Sequence, residues 1–230
     1  MSYKNSNLPK EHIFQKGDDD CCGPCCLSIV YKIKGKKISL SRIVKDLNLE
    51  KKCEPTYSPQ LARHLNKNGL ITKLIIANFG AISPAWAKEN NKKIIENLKD
   101  WVVIQPDHNF HLFGLHSLFY LQEGGKIELR PCFLEDLKRM LDNGSILILC
   151  VDEVWLWGHR LLSHKSQIDE IRGKTLGHFI VVKGYKGDKF SVLDPYPTKI
   201  PERHGSYTVD GKDLLNSSLI WSATIIEVLK

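Results

Sequence analysis

The first hundred residues place apolar side chains three and four positions apart, the spacing that lines one face of a helix. Prolines stand at the start of two such runs, at Pro24 and Pro59, where the missing backbone N–H has no helical partner to lose. Ser39 or Ser41 is placed to cap another run. The pattern predicts four helices, over residues 22–33, 39–47, 58–68 and 90–98.

The second half of the chain changes to short runs of β-branched and aromatic residues, separated by turn residues such as Asn143-Gly144. These runs predict one helix at 133–142 and strands over residues 101–105, 113–122, 127–129, 146–151, 179–185, 190–193 and 219–228. Helices followed by strands indicate an α+β fold. We expect a single domain over residues 1–230, with a helical half at about 12–100, an antiparallel sheet half at about 101–230, and a binding cleft between them.

Composition narrows the class of protein. Apolar residues make up 42% of the chain, which is ample for a packed core. No apolar run approaches the roughly 18 to 20 residues of a membrane span, and residues 1–17 lack the apolar core of a signal peptide, so we expect a cytoplasmic protein. The net charge of +7 is spread without a basic run, which predicts neither a nucleic-acid nor a membrane partner.

Seven cysteines are present, and four of them lie within six positions, at Cys21, Cys22, Cys25 and Cys26. Without a secretory leader we expect reduced thiols rather than disulfides. Cys22 begins a predicted helix, where unpaired N–H groups and the helix dipole stabilise a thiolate. We therefore choose Cys22 as a candidate nucleophile, with Cys21 as the second choice.

Three other interpretations of this cluster remain open. Cys22-Gly-Pro-Cys25 matches a thioredoxin-type dithiol motif, although three aspartates and no strand precede it. The same two cysteines supply half of a zinc site, for which His108 and His111 are the nearest further candidates. The cysteines are also compatible with simple packing on a core helix.

Residues 175–195 carry the strongest chemical signal, two β runs joined by a turn near Lys186-Gly187. Folding this hairpin about residue 186 places His178 opposite Asp194, at the separation of a cross-strand pair. We expect the carboxylate to hold Nδ1–H of the imidazole and leave Nε2 to take a proton from sulfur. Gln15, seven residues before Cys22, is a candidate for an oxyanion hole shared with the Cys22 N–H.

The chain resembles the bacteriocin-processing (double-glycine) peptidase family of papain-like folds at two short blocks. The blocks comprise Gln15, Asp20, Cys22-Gly23 and Leu27, then Gly177-His178-Phe179, Gly184-Tyr185 and Asp194-Pro195. The resemblance implies a papain-like cysteine peptidase with Cys22, His178 and Asp194 as its triad and Gln15 as oxyanion donor, needing no cofactor or metal. Because no membrane span or Gly-rich nucleotide loop follows, we expect a stand-alone member rather than an exporter module.

Three features depart from that family. The usual spacing from the glutamine reaches Cys21 instead of Cys22, and Cys25 stands where a small residue is common. The segment 152–174 is longer than expected and is either a substrate-shaping lid or a packed surface loop. We expect hydrolysis of a peptide or protein substrate. Acyl transfer by the same residues, thiol–disulfide exchange through Cys22 and Cys25, and an inactive peptide-binding module are the alternatives.

Overall fold

A computed structural model describes residues 8–16, 21–49, 55–77, 80–86, 91–162 and 167–230. Within these ranges the helices are α1 Cys22–Ile33, α2 Leu40–Asp46, α3 Ser58–Lys67, α4 Asn91–Ile104, α5 His108–Gln122, α6 Leu134–Asp142, α7 Glu153–Trp157 and α8 Gly211–Trp221. The strands are β1 Thr72–Ile76, β2 Lys126–Leu129, β3 Ile146–Asp152, β4 Leu161–Leu162, β5 Gln167–Ile168, β6 Gly177–Lys186, β7 Lys189–Leu193, β8 Ser206–Asp210 and β9 Thr224–Val228.

Seven of these strands form one sheet in the order β2-β1-β9-β3-β6-β7-β8. Adjacent strands of this sheet are antiparallel, except for β1 and β2, which are parallel. Alternate residues of the fully buried β3 enter two cores, because strand side chains alternate between faces. Ile148 packs on one face with α1 and α3, and Leu149 packs on the other with α6 and α8. The predicted α+β class is confirmed.

Several predicted helices are confirmed, and their ends follow from local chemistry. α1 spans the predicted range of residues. Ser39 caps α2, since its side chain accepts a hydrogen bond from the Arg42 N–H. The longest helix of the described residues, α5, has 15 residues, and no helix in the described ranges is long and apolar enough to cross a bilayer.

Two predicted strands, at residues 101–105 and 113–122, are wrong because these apolar runs are helical. The first is the end of α4, and the second lies in α5, which begins where Asp107 accepts a hydrogen bond from the Phe110 N–H. Gly114 of α5 packs against α4, since a Cβ there would lie 2.5 Å from the Trp101 ring. Short apolar runs fit either period, so tertiary packing decided them.

The region around residues 219–228 was also predicted as one strand. The structure divides it between the last turn of α8 and strand β9. A strand that the sequence did not predict, β1, lies at Thr72–Ile76 and pairs with β9 and β2. The sheet therefore takes strands from both the early and the late parts of the chain.

Candidate active site

Cys22 is the first residue of α1, and it is half-buried, whereas Cys25 and Cys26 are fully buried in the same helix. α1 packs against β6, the strand that carries His178. The thiol therefore lies at the positive end of a helix dipole and beside the sheet.

His178 is the second residue of β6 and pairs with Val151 of β3. Only 3% of the surface of His178 is exposed. Its Nε2 lies 2.7 Å from Oδ1 of Asp194. Cys22 lines the same cavity as His178, and its side chain is among the groups that raise the pKa of the imidazole. Because Asp194 occupies Nε2, the nitrogen that remains for the thiol is Nδ1, the one nearer the backbone. The predicted roles of the two ring nitrogens were therefore reversed.

The β6–β7 register differs from the predicted one. Val181 pairs with Leu193 and Val182 with Val192, a register two residues further along, and it shifts again beyond Val182. Asp194 follows the last paired residue, so His178 is not directly opposite it. The two side chains still meet because residues two positions apart on a strand share a face and long side chains reach the diagonal neighbour.

The pKa of His178 is raised well above its usual range, although its burial alone would lower it. The negative charge and hydrogen bond of Asp194 outweigh the burial, and the hydrogen bond and charge of Cys22 add to them. The site consequently favours a positively charged imidazole beside the sulfur. A thiolate paired with an imidazolium is the activated form of a cysteine nucleophile.

Asp194 is completely buried, and its carboxylate accepts four hydrogen bonds. Oδ1 accepts from His178 and, at 2.9 Å, from the Tyr196 N–H. Oδ2 accepts from the Tyr207 hydroxyl at 2.7 Å and from Trp157 Nε1 at 3.3 Å. No spacing rule links Trp157, Tyr196 or Tyr207 to Asp194, so the sequence did not indicate these partners.

Trp157 comes from the segment 152–174 that departs from the family. The segment begins with α7, whose Trp157 ring lies 5.4 Å from the His178 ring, centroid to centroid. Leu161, Leu162 and Lys174 from its later part line the cleft above the triad. Residues 163–166 lie outside the described ranges. The first part of the segment is thus packed against the triad, and the later part forms a wall of the cleft.

Gln15 is buried and lines the same cavity as Cys22. Its backbone N–H donates to the Pro195 carbonyl at 2.8 Å. Nearby, His12 Nε2 donates to the Asp194 carbonyl, also at 2.8 Å. Burial is the largest influence on the pKa of His12 and lowers it, although the neighbouring Asp194 acts in the opposite direction. The ring therefore stays neutral and donates from Nε2. This segment fixes both Gln15 and the loop that carries Asp194.

The cleft has a volume of about 780 Å³. Tyr57, Phe110 and Phe113 line it on the helical side, whereas Leu176 and Trp221 line it beside His178. The Trp221 indole fills the space beside Gly177. A Cβ at Gly177 would lie 2.0 Å from Trp221 Nε1. Polar and charged side chains, among them Thr56, Asn109 and Glu153, share the lining with these aromatic ones.

The cysteine cluster differs from the expectation of reduced thiols. Cys21 is disulfide-bonded, so its sulfur is not available as a nucleophile in this structure. The free cysteines of the described residues are Cys22, Cys25, Cys26, Cys132 and Cys150. The expectation of a reduced thiol was therefore wrong at Cys21. It was inferred from the lack of a secretory leader, which gives no information about which sulfurs the fold brings together.

Burial, and then the nearby Cys22, raise the pKa of the Cys25 thiol to about 12. A fully buried, protonated thiol is poorly suited to attack a mixed disulfide, so the dithiol interpretation of Cys22-Gly-Pro-Cys25 is disfavoured. Within the described ranges, no group of three or more His, Cys, Asp or Glu side chains is arranged to hold a metal ion.

No protein-family model matches this chain, and no curated protein matches it. Among solved structures, it is similar to the peptidase domain of Streptococcus ComA, a bi-functional ABC transporter involved in a quorum sensing pathway. The likeness covers 95% of this chain and 98% of that chain, with 15% identity and a TM-score of 0.45. A likeness of this strength does not transfer an activity, which has to be argued from the residues of the site.

Proposed function

We propose that this chain is a papain-like cysteine peptidase, an amide hydrolase that acts on a peptide or protein substrate. Cys22 is the nucleophile, His178 transfers protons, Asp194 orients the imidazole, and Gln15 stabilises the oxyanion. The observation that carries the proposal is the position of His178, which lines the same cavity as Cys22 and whose Nε2 lies 2.7 Å from Asp194 Oδ1.

Acylation begins with attack of the Cys22 thiolate on the carbonyl carbon of an amide. The negative charge that develops on the carbonyl oxygen accepts hydrogen bonds from the Cys22 N–H and the Gln15 side-chain amide. The imidazolium of His178 then gives its Nδ1 proton to the leaving amine as the C–N bond breaks. A thioester between Cys22 and the acyl part of the substrate remains.

Deacylation reverses the roles with water as the nucleophile. Neutral His178 removes a proton from water through Nδ1, and the resulting hydroxide attacks the thioester. Collapse of the tetrahedral intermediate releases the carboxylic acid and regenerates the thiolate beside the imidazolium. No electron transfer or metal is needed for either half of the reaction.

The decisive experiment is active-site labelling with a peptide chloromethyl ketone, located by mass spectrometry of the digested protein. Labelling is expected at Cys22 and should disappear in Cys22→Ala, together with cleavage of a mixed peptide library. Cys132→Ala removes a buried free thiol that is not part of the cleft, and it should keep both properties.

Labelling that persists at the full rate in Cys22→Ala would overturn the proposal. Products that incorporate an added amine would assign acyl transfer instead of hydrolysis. Tight peptide binding with no labelling at any thiol would favour the inactive binding module.

A further inference from the structure

Two hydrogen bonds hold the Asp194 carboxylate at Oδ2, the oxygen that does not contact His178. Its Oδ1 faces the imidazole, and its Oδ2 accepts the Tyr207 hydroxyl and Trp157 Nε1. The terminal torsion of an aspartate side chain is broad, so it does not by itself fix the plane of the carboxylate. The two donors to Oδ2, together with the Tyr196 N–H on Oδ1, restrict that torsion.

We propose that Tyr207 is a positioning residue of the triad, which holds the Asp194 carboxylate in the orientation that keeps one of its oxygens on Nε2 of His178. The inference rests on the proposed peptidase function. Tyr207 lies on β8, paired with Val192 of β7, and does not line the cleft. It therefore acts on the reaction only through Asp194.

The chemistry of Tyr207 suits a permanent donor. Burial and then the negative charge of Asp194 raise the pKa of Tyr207 well above its usual range, so the hydroxyl keeps its proton. Hydrogen bonds to an ionised acceptor are also stronger and shorter than neutral ones, in line with the 2.7 Å separation.

Arg203 connects the two donors to Oδ2. Its guanidinium carbon lies 5.4 Å from the centre of the Tyr207 ring, and its Nε donates at 2.9 Å to the carbonyl of Leu156. Leu156 precedes Trp157 in α7. The tyrosine from β8 and the tryptophan from α7 are thus linked through one side chain, and together they hold the carboxylate from two directions.

The test is Tyr207→Phe, which removes the hydroxyl and keeps the ring. We expect kcat/KM to fall about 10- to 100-fold, the loss typical of one charge-assisted hydrogen bond that supports the transition state. A carboxylate that turns away supports the imidazolium less. The basic limb of the kcat/KM profile should therefore move to lower pH, because His178 then loses its proton at lower pH.

Tyr185→Phe is the matched control. The Tyr185 hydroxyl also donates to a carboxylate, Asp142, at 2.9 Å, but it lies outside the cleft on the far part of β6. This variant should keep the wild-type kcat/KM and pH profile. Trp157→Phe provides a second variant, which keeps an aromatic ring beside His178 and removes the other donor to Oδ2. It should shift the basic limb in the same direction by a smaller amount.

Suppose that Cys22→Ala is inactive, as the peptidase function requires. A folded Tyr207→Phe with wild-type kcat/KM and an unmoved basic limb would then overturn the inference. So would a lower melting temperature and lower kcat/KM without movement of that limb, since this indicates structural support alone. If Tyr207→Phe does not fold, an unmoved limb in Trp157→Phe has the same force. Full activity of Cys22→Ala is a different result, because it overturns the peptidase function itself.

Discussion

His178 and Asp194 meet on a diagonal of the β6–β7 hairpin, with Nε2 and Oδ1 2.7 Å apart. The aspartate lies just beyond the last pair of the ladder, where the chain is fixed by hydrogen bonds from outside the hairpin. Its backbone N–H donates to Gly205 and its carbonyl accepts from His12. The geometry of the candidate triad thus depends on segments far away in sequence.

Gln15→Ala should lower kcat about 100-fold with little change in KM, because the oxyanion that Gln15 stabilises exists only beyond the ground state. The substitution keeps the backbone N–H that donates to Pro195, so the local fold should remain. Steady-state kinetics with a cleaved peptide measure both constants.

Gln15→Glu is the isosteric companion variant, in which a carboxylate replaces the amide donor. It should be at least as slow as Gln15→Ala, since its charge opposes the oxyanion. Unchanged kcat in both variants would exclude Gln15 from the oxyanion hole.

The stability of the protein should depend on pH through His178. Its pKa is raised in the fold, although burial opposes the shift, so the folded state binds the proton more tightly than the unfolded chain. This stabilisation is complete below the unfolded pKa of about 6.5 and is lost as the pH rises through the folded pKa. His178→Gln removes it.

The difference in unfolding free energy between wild type and His178→Gln should therefore shrink between pH 6 and pH 9, by about 1 kcal/mol or more. Urea unfolding followed by circular dichroism measures it. His108→Gln, on the exposed start of α5, controls for loss of a histidine elsewhere. A difference that grows with pH would contradict the raised pKa.

Gly177→Ala should destabilise the fold by about 1 to 3 kcal/mol, because the new methyl group meets the Trp221 indole on which the cleft wall depends. The displaced indole should also weaken substrate binding and raise KM. Gly184→Ala is the matched control on the same strand, since a Cβ there has no heavy atom within 4 Å. Equal unfolding midpoints for the two variants would show that Trp221 moves freely.

Sequence alone predicted the elements whose ends have their own chemistry. Ser39 capped α2 as expected, and α1 began at Cys22. The site residues were chosen the same way, from a helix start and a hairpin that local rules define. The structure brings His178, Asp194 and Cys22 together and places Gln15 in the same cavity.

What sequence could not predict depends on contacts between distant segments. The runs in α4 and α5 pack against each other where Gly114 meets the Trp101 ring, a contact that no local period reveals. Register beyond Val182 depended on an irregularity in the ladder. Tyr207 and Trp157 reach Asp194 from separate elements, so their roles became visible only in three dimensions.

The segment that brings Gln15 to the cleft is the same one that holds the Asp194–Pro195 loop through His12 and the Gln15 backbone. The position of Gln15, which is proposed to polarise the carbonyl, is therefore coupled to the position of Asp194, which is proposed to orient His178. A substitution in one of the two segments should require a compensating substitution in the other. Positions 12, 15, 194 and 195 are therefore expected to covary among relatives. A chimera that exchanges this leading segment should work only if it also exchanges the end of the hairpin.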